Sequence, residues 1–267
     1  MLGILEIKEK KAKKERLTMV TAYDYYMAKL VQETGIDTIL VGDSLGNVFQ
    51  GEETTLKVTV EEIIYHTKAV RRGANNTFII ADMPYMSYHL NPEQAKSNAA
   101  RLIIEADAHA VKLEGGSDSR IKVIEAIVDC EIPVVGHLGL TPQSINKIGG
   151  YKVQGKDEAD AEIIIEQAQS IQQAGAFMLV LEAVPEQLAK TITEMLNIPV
   201  IGIGAGRYTD GQVLVINDIL GLTDIRAKFA HVYQDIGEIA KTALTNYNDD
   251  VKSGLFPKKK NIYYPVD

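Results

Sequence analysis

Short β-rich apolar runs alternate with amphipathic stretches along most of the chain. The runs are Leu17–Ala22, Thr38–Val41, Thr77–Ala81, Ala110–Leu113, Pro133–Gly136, Phe177–Leu181 and Pro199–Gly204, with a weaker eighth at Ile219–Leu222. Runs this continuously apolar suit strands buried on both faces, as in parallel sheets. The stretches between them carry helix signals. Thr59 and Glu62 form a capping box ahead of Val60, Ile63, Ile64 and Thr67. Asn91, Pro92 and Gln94 stand in the order of cap, first-turn proline and third position. Pro185 opens a helix with Leu188, Ile192, Met195 and Leu196 on its apolar face, and Ile163, Ile164, Ala168 and Ile171 mark another. Seven or eight such units predict a single (β/α)8 TIM barrel over 1–267 with short N- and C-terminal extensions; a doubly wound open sheet is the alternative. Two connections are long, Ser44–Val58 and Leu138–Lys156. Both follow strands, on the face where barrel sites lie.

What stands at the strand ends changes the picture. The second run ends in Gly42-Asp43-Ser44, the third in Asp82 and the fourth in Lys112-Leu113-Glu114. His137 follows the fifth and Glu182 the sixth. Acids on neighbouring strands lie about 5 Å apart and repel one another, which a cation between them relieves. All the candidate ligands are oxygens, so Asp43, Asp82 and Glu114 point to Mg2+, with Mn2+ or another divalent ion as the fallback. The competing reading of each acid alone is a helix cap or turn former. Strand periodicity puts Lys112 on the face of Glu114; it either anchors a substrate carboxylate or enolate or forms an internal salt bridge. Glu182 follows an apolar run that tends to raise a carboxyl pKa toward the range of a general base. His137 either orients a substrate oxygen or bonds a neighbouring backbone. The glycines from Gly202 to Gly206 lack the full dinucleotide pattern and fit a close backbone approach or a tight turn.

Composition narrows the classes. The chain has 267 residues, of which 46% are hydrophobic, enough for a sizeable core. A net charge of −8 argues against a nucleic-acid surface. No apolar run approaches the ~20 residues of a membrane span, and the N-terminus lacks the order of a secretory signal. One cysteine, Cys130, excludes an intrachain disulfide and fits a reducing cytoplasm. At the end of a helix pattern, it reads as a small core residue. His66, His89 and His231 do not gather and read as surface or packing residues.

Several long motifs, in order, resemble the ketopantoate (3-methyl-2-oxobutanoate) hydroxymethyltransferase family. They are TAYD (21–24), VGDSLGN (41–47), ADMPYMSY (81–88), VKLEGG (111–116), GHLGLTPQS (136–144), GGYKVQG (149–155), VLEAVP (180–185) and IPVIGIGAGRYTDGQVLV (198–215). The resemblance implies a barrel of the phosphoenolpyruvate/pyruvate superfamily. It implies a Mg2+-dependent transfer of a hydroxymethyl group from 5,10-methylenetetrahydrofolate to 3-methyl-2-oxobutanoate, forming 2-dehydropantoate on the way to pantothenate and coenzyme A, through a Mg-stabilised enolate. It makes Asp43, Asp82 and Glu114 metal positions, Asp43, Ser44, Asp82, Lys112 and His137 substrate positions, and Glu182 the proton acceptor. It also implies a homodecamer. Lys57 departs from the proline usual there, and Leu220–Tyr233 matches loosely. The rival reading is another metal-dependent 2-oxo acid lyase or mutase on the same platform.

Overall fold

The computed structural model describes residues 2–223 and 227–265. Residues Met1–Ile216 form one compact unit and Asn217–Asp267 a second. In the first, eight parallel strands close into a barrel in chain order. They are β1 (Leu17–Thr21), β2 (Thr38–Val41), β3 (Phe78–Asp82), β4 (Ala110–Glu114), β5 (Val134–Gly139), β6 (Met178–Glu182), β7 (Val200–Ile203) and β8 (Gly211–Leu214). Helices α1 (Ile4–Ala12), α2 (Tyr25–Glu33), α3 (Val60–Gly73), α4 (Pro92–Ile104), α5 (Asp118–Asp129), α6 (Glu158–Gln173) and α7 (Glu186–Met195) belong to the same unit. The caps read from sequence are formed: Thr59 Oγ1 accepts from Glu62 N, and Asn91 Oδ1 from Gln94 N.

The strands carry a gradient along the barrel axis. Leu17, Met19, Leu40, Phe78, Ile80, Ala110, Val135, Met178, Val180, Ile201 and Val213 fill the interior, and Ile7 of α1 joins them at the N-terminal end of the strands. Side chains two apart on a strand share a face. Phe78 and Ile80 therefore lead to Asp82, Ala110 to Lys112 and Glu114, Val135 to His137, and Met178 and Val180 to Glu182. Each inward row is apolar below and ionisable only at the C-terminal rim. The apolar layers exclude water beneath the rim, so the charged groups above them must satisfy one another.

Three local expectations are corrected. The eighth strand is Gly211–Leu214, not Ile219–Leu222. No helix separates it from β7, so the strand–helix rhythm that located the others is broken there. It pairs tightly with β1: a Cβ on Gly211 would lie 2.3 Å from the Leu17 carbonyl oxygen, which requires glycine. Ile163 is 50% exposed, and only Ile164, Ala168 and Ile171 of that set are buried on α6. Cys130 is exposed, because it caps the end of α5 rather than lying inside its apolar face.

In the second unit, α8 (Ile236–Lys252) begins at Asp235, whose side chain accepts from Glu238 N. The rings of Tyr247 and Phe256 meet edge to face at 5.7 Å. No helix among the described residues is long and apolar enough to cross a membrane.

Candidate active site

Asp43, Asp82, Lys112, Glu114 and His137 are all buried at the C-terminal rim. Their order around it follows from register: Asp82 lies beside Lys112 on β3 and β4, and Glu114 beside His137 on β4 and β5. Lys112 Nζ is 2.7 Å from Asp82 Oδ1, so the internal salt bridge weighed from sequence is formed. Asp82 Oδ2 accepts from the backbone N–H of Asp43 at 3.0 Å, tying the loop after β2 to β3. Ser44 Oγ is 2.8 Å from the hydroxyl of Tyr23, at the end of β1.

Gln143 joins these groups, although the sequence reading gave it no role. Its amide nitrogen donates to Asp43 Oδ2 at 2.9 Å and to the Met83 carbonyl at 3.0 Å. Its amide oxygen accepts from the Tyr88 hydroxyl at 2.6 Å, and its backbone N–H donates to Glu114 Oε2 at 3.0 Å. One residue of the loop after β5 thus ties together two acids, Asp43 after β2 through its side chain and Glu114 on β4 through its backbone N–H. Gln143 and Tyr88 both lie inside motifs quoted above. The signal that could have found them was an amide and a phenol in loops that close over a charged rim. Such groups are buried only if every polar atom has a partner.

Glu182 stands across the rim from that clamp. Its side chain is 14% exposed, and Oε2 lies 3.3 Å from His137 Nε2. His137 Nδ1 is 3.4 Å from Glu114 Oε1, so the imidazole bridges two carboxylates. The ring thus meets side-chain carboxylates rather than a neighbouring backbone. The position of Glu182 depends on its neighbour in register, Gly139, at φ +89°: a Cβ there would lie 2.2 Å from the Glu182 carbonyl oxygen. Ring and carboxylate can meet because the two backbones approach so closely.

The electrostatics show which groups are strained. Burial, the Asp82 charge and the Glu114 charge push the Asp43 carboxyl well above its usual range. Burial also raises Asp82, against the pull of Lys112. Glu114 is lowered despite burial, because His137 and Lys112 face it. Burial and Lys112 work against a charge on His137, but Glu114 and Glu182 outweigh them and raise it to about 9. A raised folded value means that His137 stabilises the fold fully below about pH 6.5 and loses that contribution as pH climbs through about 9. In chelator-treated protein, the His137 ring signal in an NMR titration is expected to keep its proton through neutrality and release it near pH 9. A midpoint at the free value of 6.5 would contradict the two-carboxylate bridge.

At the rim, two buried atoms meet a charged partner without a well-directed hydrogen bond, Asp82 Oδ1 and His137 Nε2. Asp82 Oδ1 meets the Lys112 ammonium, and a carboxylate oxygen can accept more than one partner. Among the described residues, no group of three or more His, Cys, Asp or Glu side chains is arranged to hold a metal by itself. Both oxygens of Glu114 are turned to His137 and Gln143 instead. His66, outside the rim, is buried with Nδ1 2.7 Å from the Tyr23 carbonyl oxygen, a packing role as expected.

Known proteins place this rim in a family. The profile described as ketopantoate hydroxymethyltransferase matches residues 2–259. A 3-methyl-2-oxobutanoate hydroxymethyltransferase of Clostridium beijerinckii is 52% identical over 261 residues, covering 97% of this chain and 94% of the relative. The enzyme of that name from Thermoanaerobacter sp. strain X514 is 52% identical over 263 residues, covering 98% and 96%. Among solved structures, a 2,3-dimethylmalate lyase of the PEP mutase/isocitrate lyase superfamily aligns with a TM-score of 0.62 at 12% identity, covering 98% of this chain and 93% of its own. A phosphonopyruvate hydrolase aligns at 0.64 and 11% identity over the same shares. These two share the fold. The match that runs through every strand end and both long loops is to the transferases, and the chain belongs to the ketopantoate hydroxymethyltransferase family.

Proposed function

We propose that the protein transfers a hydroxymethyl group from 5,10-methylenetetrahydrofolate to 3-methyl-2-oxobutanoate, with water supplying the hydroxyl oxygen and 2-dehydropantoate and tetrahydrofolate as products. The observation that carries this reading is the inward row on β6, which delivers Glu182 opposite the Asp43–Asp82–Lys112 cluster in a chain of this family. A base on one side and a charged binding cluster on the other is what removal of a proton next to a ketone requires. A lyase or mutase acting on a 2-oxo acid would use the same fold, but the family match favours transfer.

The residues fit a hard divalent ion. Asp82 Oδ1 is a buried carboxylate oxygen that can accept a partner beyond the Lys112 ammonium, and burial and the charges of Asp82 and Glu114 push the Asp43 carboxyl well above its usual range, a load that a cation would relieve. Mg2+ is held by one or two carboxylates, completed by waters and substrate oxygens, so a cage of three acids is not needed. Asp43 and Asp82 would hold it, with Glu114 acting through water. When bound, Mg2+ supplies Lewis-acid polarisation of the 2-oxo acid.

The chain's own groups then divide the work. Lys112, held beside Asp82, adds positive charge near the substrate carboxylate and the oxygen on which charge develops. Ser44, backed by Tyr23, offers a hydroxyl to the same anion. Glu182 takes the proton from C3, and His137 holds the carboxylate that does so. The carbanion at C3 then forms a bond to the one-carbon unit of the folate as the first of its two C–N bonds gives way; water displaces the second nitrogen from that carbon and leaves the hydroxyl, and the two nitrogens end protonated in tetrahydrofolate. Incubation with both substrates and Mg2+ is expected to accumulate tetrahydrofolate and 2-dehydropantoate in equal amounts, to stop on chelation and to resume on added Mg2+. If neither product forms at saturating substrates, the reading fails.

A further inference from the structure

We propose that the cavity beside the acid cluster, walled by the loops after β3, β4 and β5 and by α6, is the folate donor's binding site; this assignment rests on the hydroxymethyl-transfer reading. The cavity holds about 610 Å3, within the range of small-molecule sites and far more than a five-carbon keto acid fills.

Its position follows from two shared residues. Glu114 and Gln143 line the cavity, and both also belong to the rim, where Gln143 holds Asp43 and Glu114. A donor seated here shares a wall with the cluster that takes the keto acid. That adjacency is required, because the transferred carbon must come within about 3–3.5 Å of C3.

Its chemistry suits a reduced pterin with a glutamyl tail. Gln154, Gln167 and Asn146 in the lining offer amide donors and acceptors, as the polar edge of a pterin needs. Asp160, in the first turn of α6, adds a carboxylate suited to the amino and ring N–H donors of that edge. Tyr85 and His89, whose rings lie 5.1 Å apart, provide aromatic surface for a flat ligand. Two cations answer the tail's carboxylates. Lys147 is exposed in the loop after β5. Arg120 is stacked 4.5 Å over Tyr88 and spends one N–H on the Tyr88 carbonyl, which leaves most of its five donors for a ligand.

The test is calorimetric titration of tetrahydrofolate into the full chain with Mg2+ and 3-methyl-2-oxobutanoate present. The double variant Gln167→Ala/Lys147→Glu is expected to raise the Kd for tetrahydrofolate at least tenfold. Exchange of the substrate's C3 proton with deuterated buffer, which needs no folate, should survive in the same variant. If the wild type binds tetrahydrofolate and the variant binds it equally well, the cavity assignment is overturned and the transfer reading stands. If the wild type binds none, both fall. A measurement on the wild type alone guards against a misfolded variant: tetrahydrofolate should slow acetylation of Lys147, read by peptide mass spectrometry, whereas the keto acid alone should not. Equal labelling with and without tetrahydrofolate overturns the assignment.

Discussion

Glu182→Gln is expected to lower kcat by about 10²–10⁴-fold, the usual contribution of a positioned general base, and to leave keto acid binding within a few-fold of wild type. The substitution keeps the shape of the side chain and removes its capacity to take a proton. That range corresponds to about 3–5 kcal/mol of barrier. The clearest readout is C3 proton exchange in deuterated buffer with Mg2+ and no folate, because it isolates the proton step from transfer. A second readout is His137. Glu182 is one of the two carboxylates that keep its proton on, so the variant's imidazole should titrate below the wild-type value of about 9. A merely structural Glu182 would shift that titration without stopping exchange. Exchange at the wild-type rate would move the base elsewhere, and among the described residues the buried rim acids besides Glu182 are held by Lys112, Gln143 and His137.

The same rim explains how much of the molecule was legible beforehand. Seven strands were readable because each is a short apolar run, and six of them end at a glycine or an acid. Asp82, Lys112, Glu114, His137 and Glu182 were found by chain position alone, since the inward row of a barrel strand reaches the rim at a fixed spacing. β8 was missed because its Gly211-Gln212-Val213-Leu214 run follows β7 without a helix, and one of its four residues is exposed. Gln143 and Tyr88 were missed for a different reason. They sit in loops, where no periodicity points a side chain anywhere, and only the closed barrel brings Gln143 from β5 to Asp43 beyond β2. The bridging role of His137 was hidden likewise, because it needs Glu182 from β6 and Glu114 from β4 on either side of one ring.

Lys112→Met is expected to cost about 3–5 kcal/mol of stability in the metal-free protein, the penalty for removing one partner of a buried ion pair. The substitution leaves the carboxylates charged with no ammonium beside them. Among the described residues, Lys112 is the one lysine buried with the rim acids: Asp82 lies 2.7 Å away, and Glu114 and Asp43 also hold its proton in place. For a chain of this length, each kcal/mol shifts Tm by roughly 2–4 °C, so thermal unfolding in chelator should drop by about 10 °C. The sign of the pH effect follows from the acids. Asp43 and Asp82 have folded values raised above their unfolded ones, so they favour the fold when protonated and oppose it when ionised. Without Lys112 that opposition grows, and the Tm gap to wild type should be widest near pH 8 and narrow as pH falls toward 5. Mg2+ supplies the missing positive charge if Asp43 and Asp82 hold it. At about 100 times its Kd it would restore about 2.7 kcal/mol, so the ion should raise the Tm of the variant more than that of the wild type. An equal rise in both would mean that the ion binds away from the cluster Lys112 neutralises.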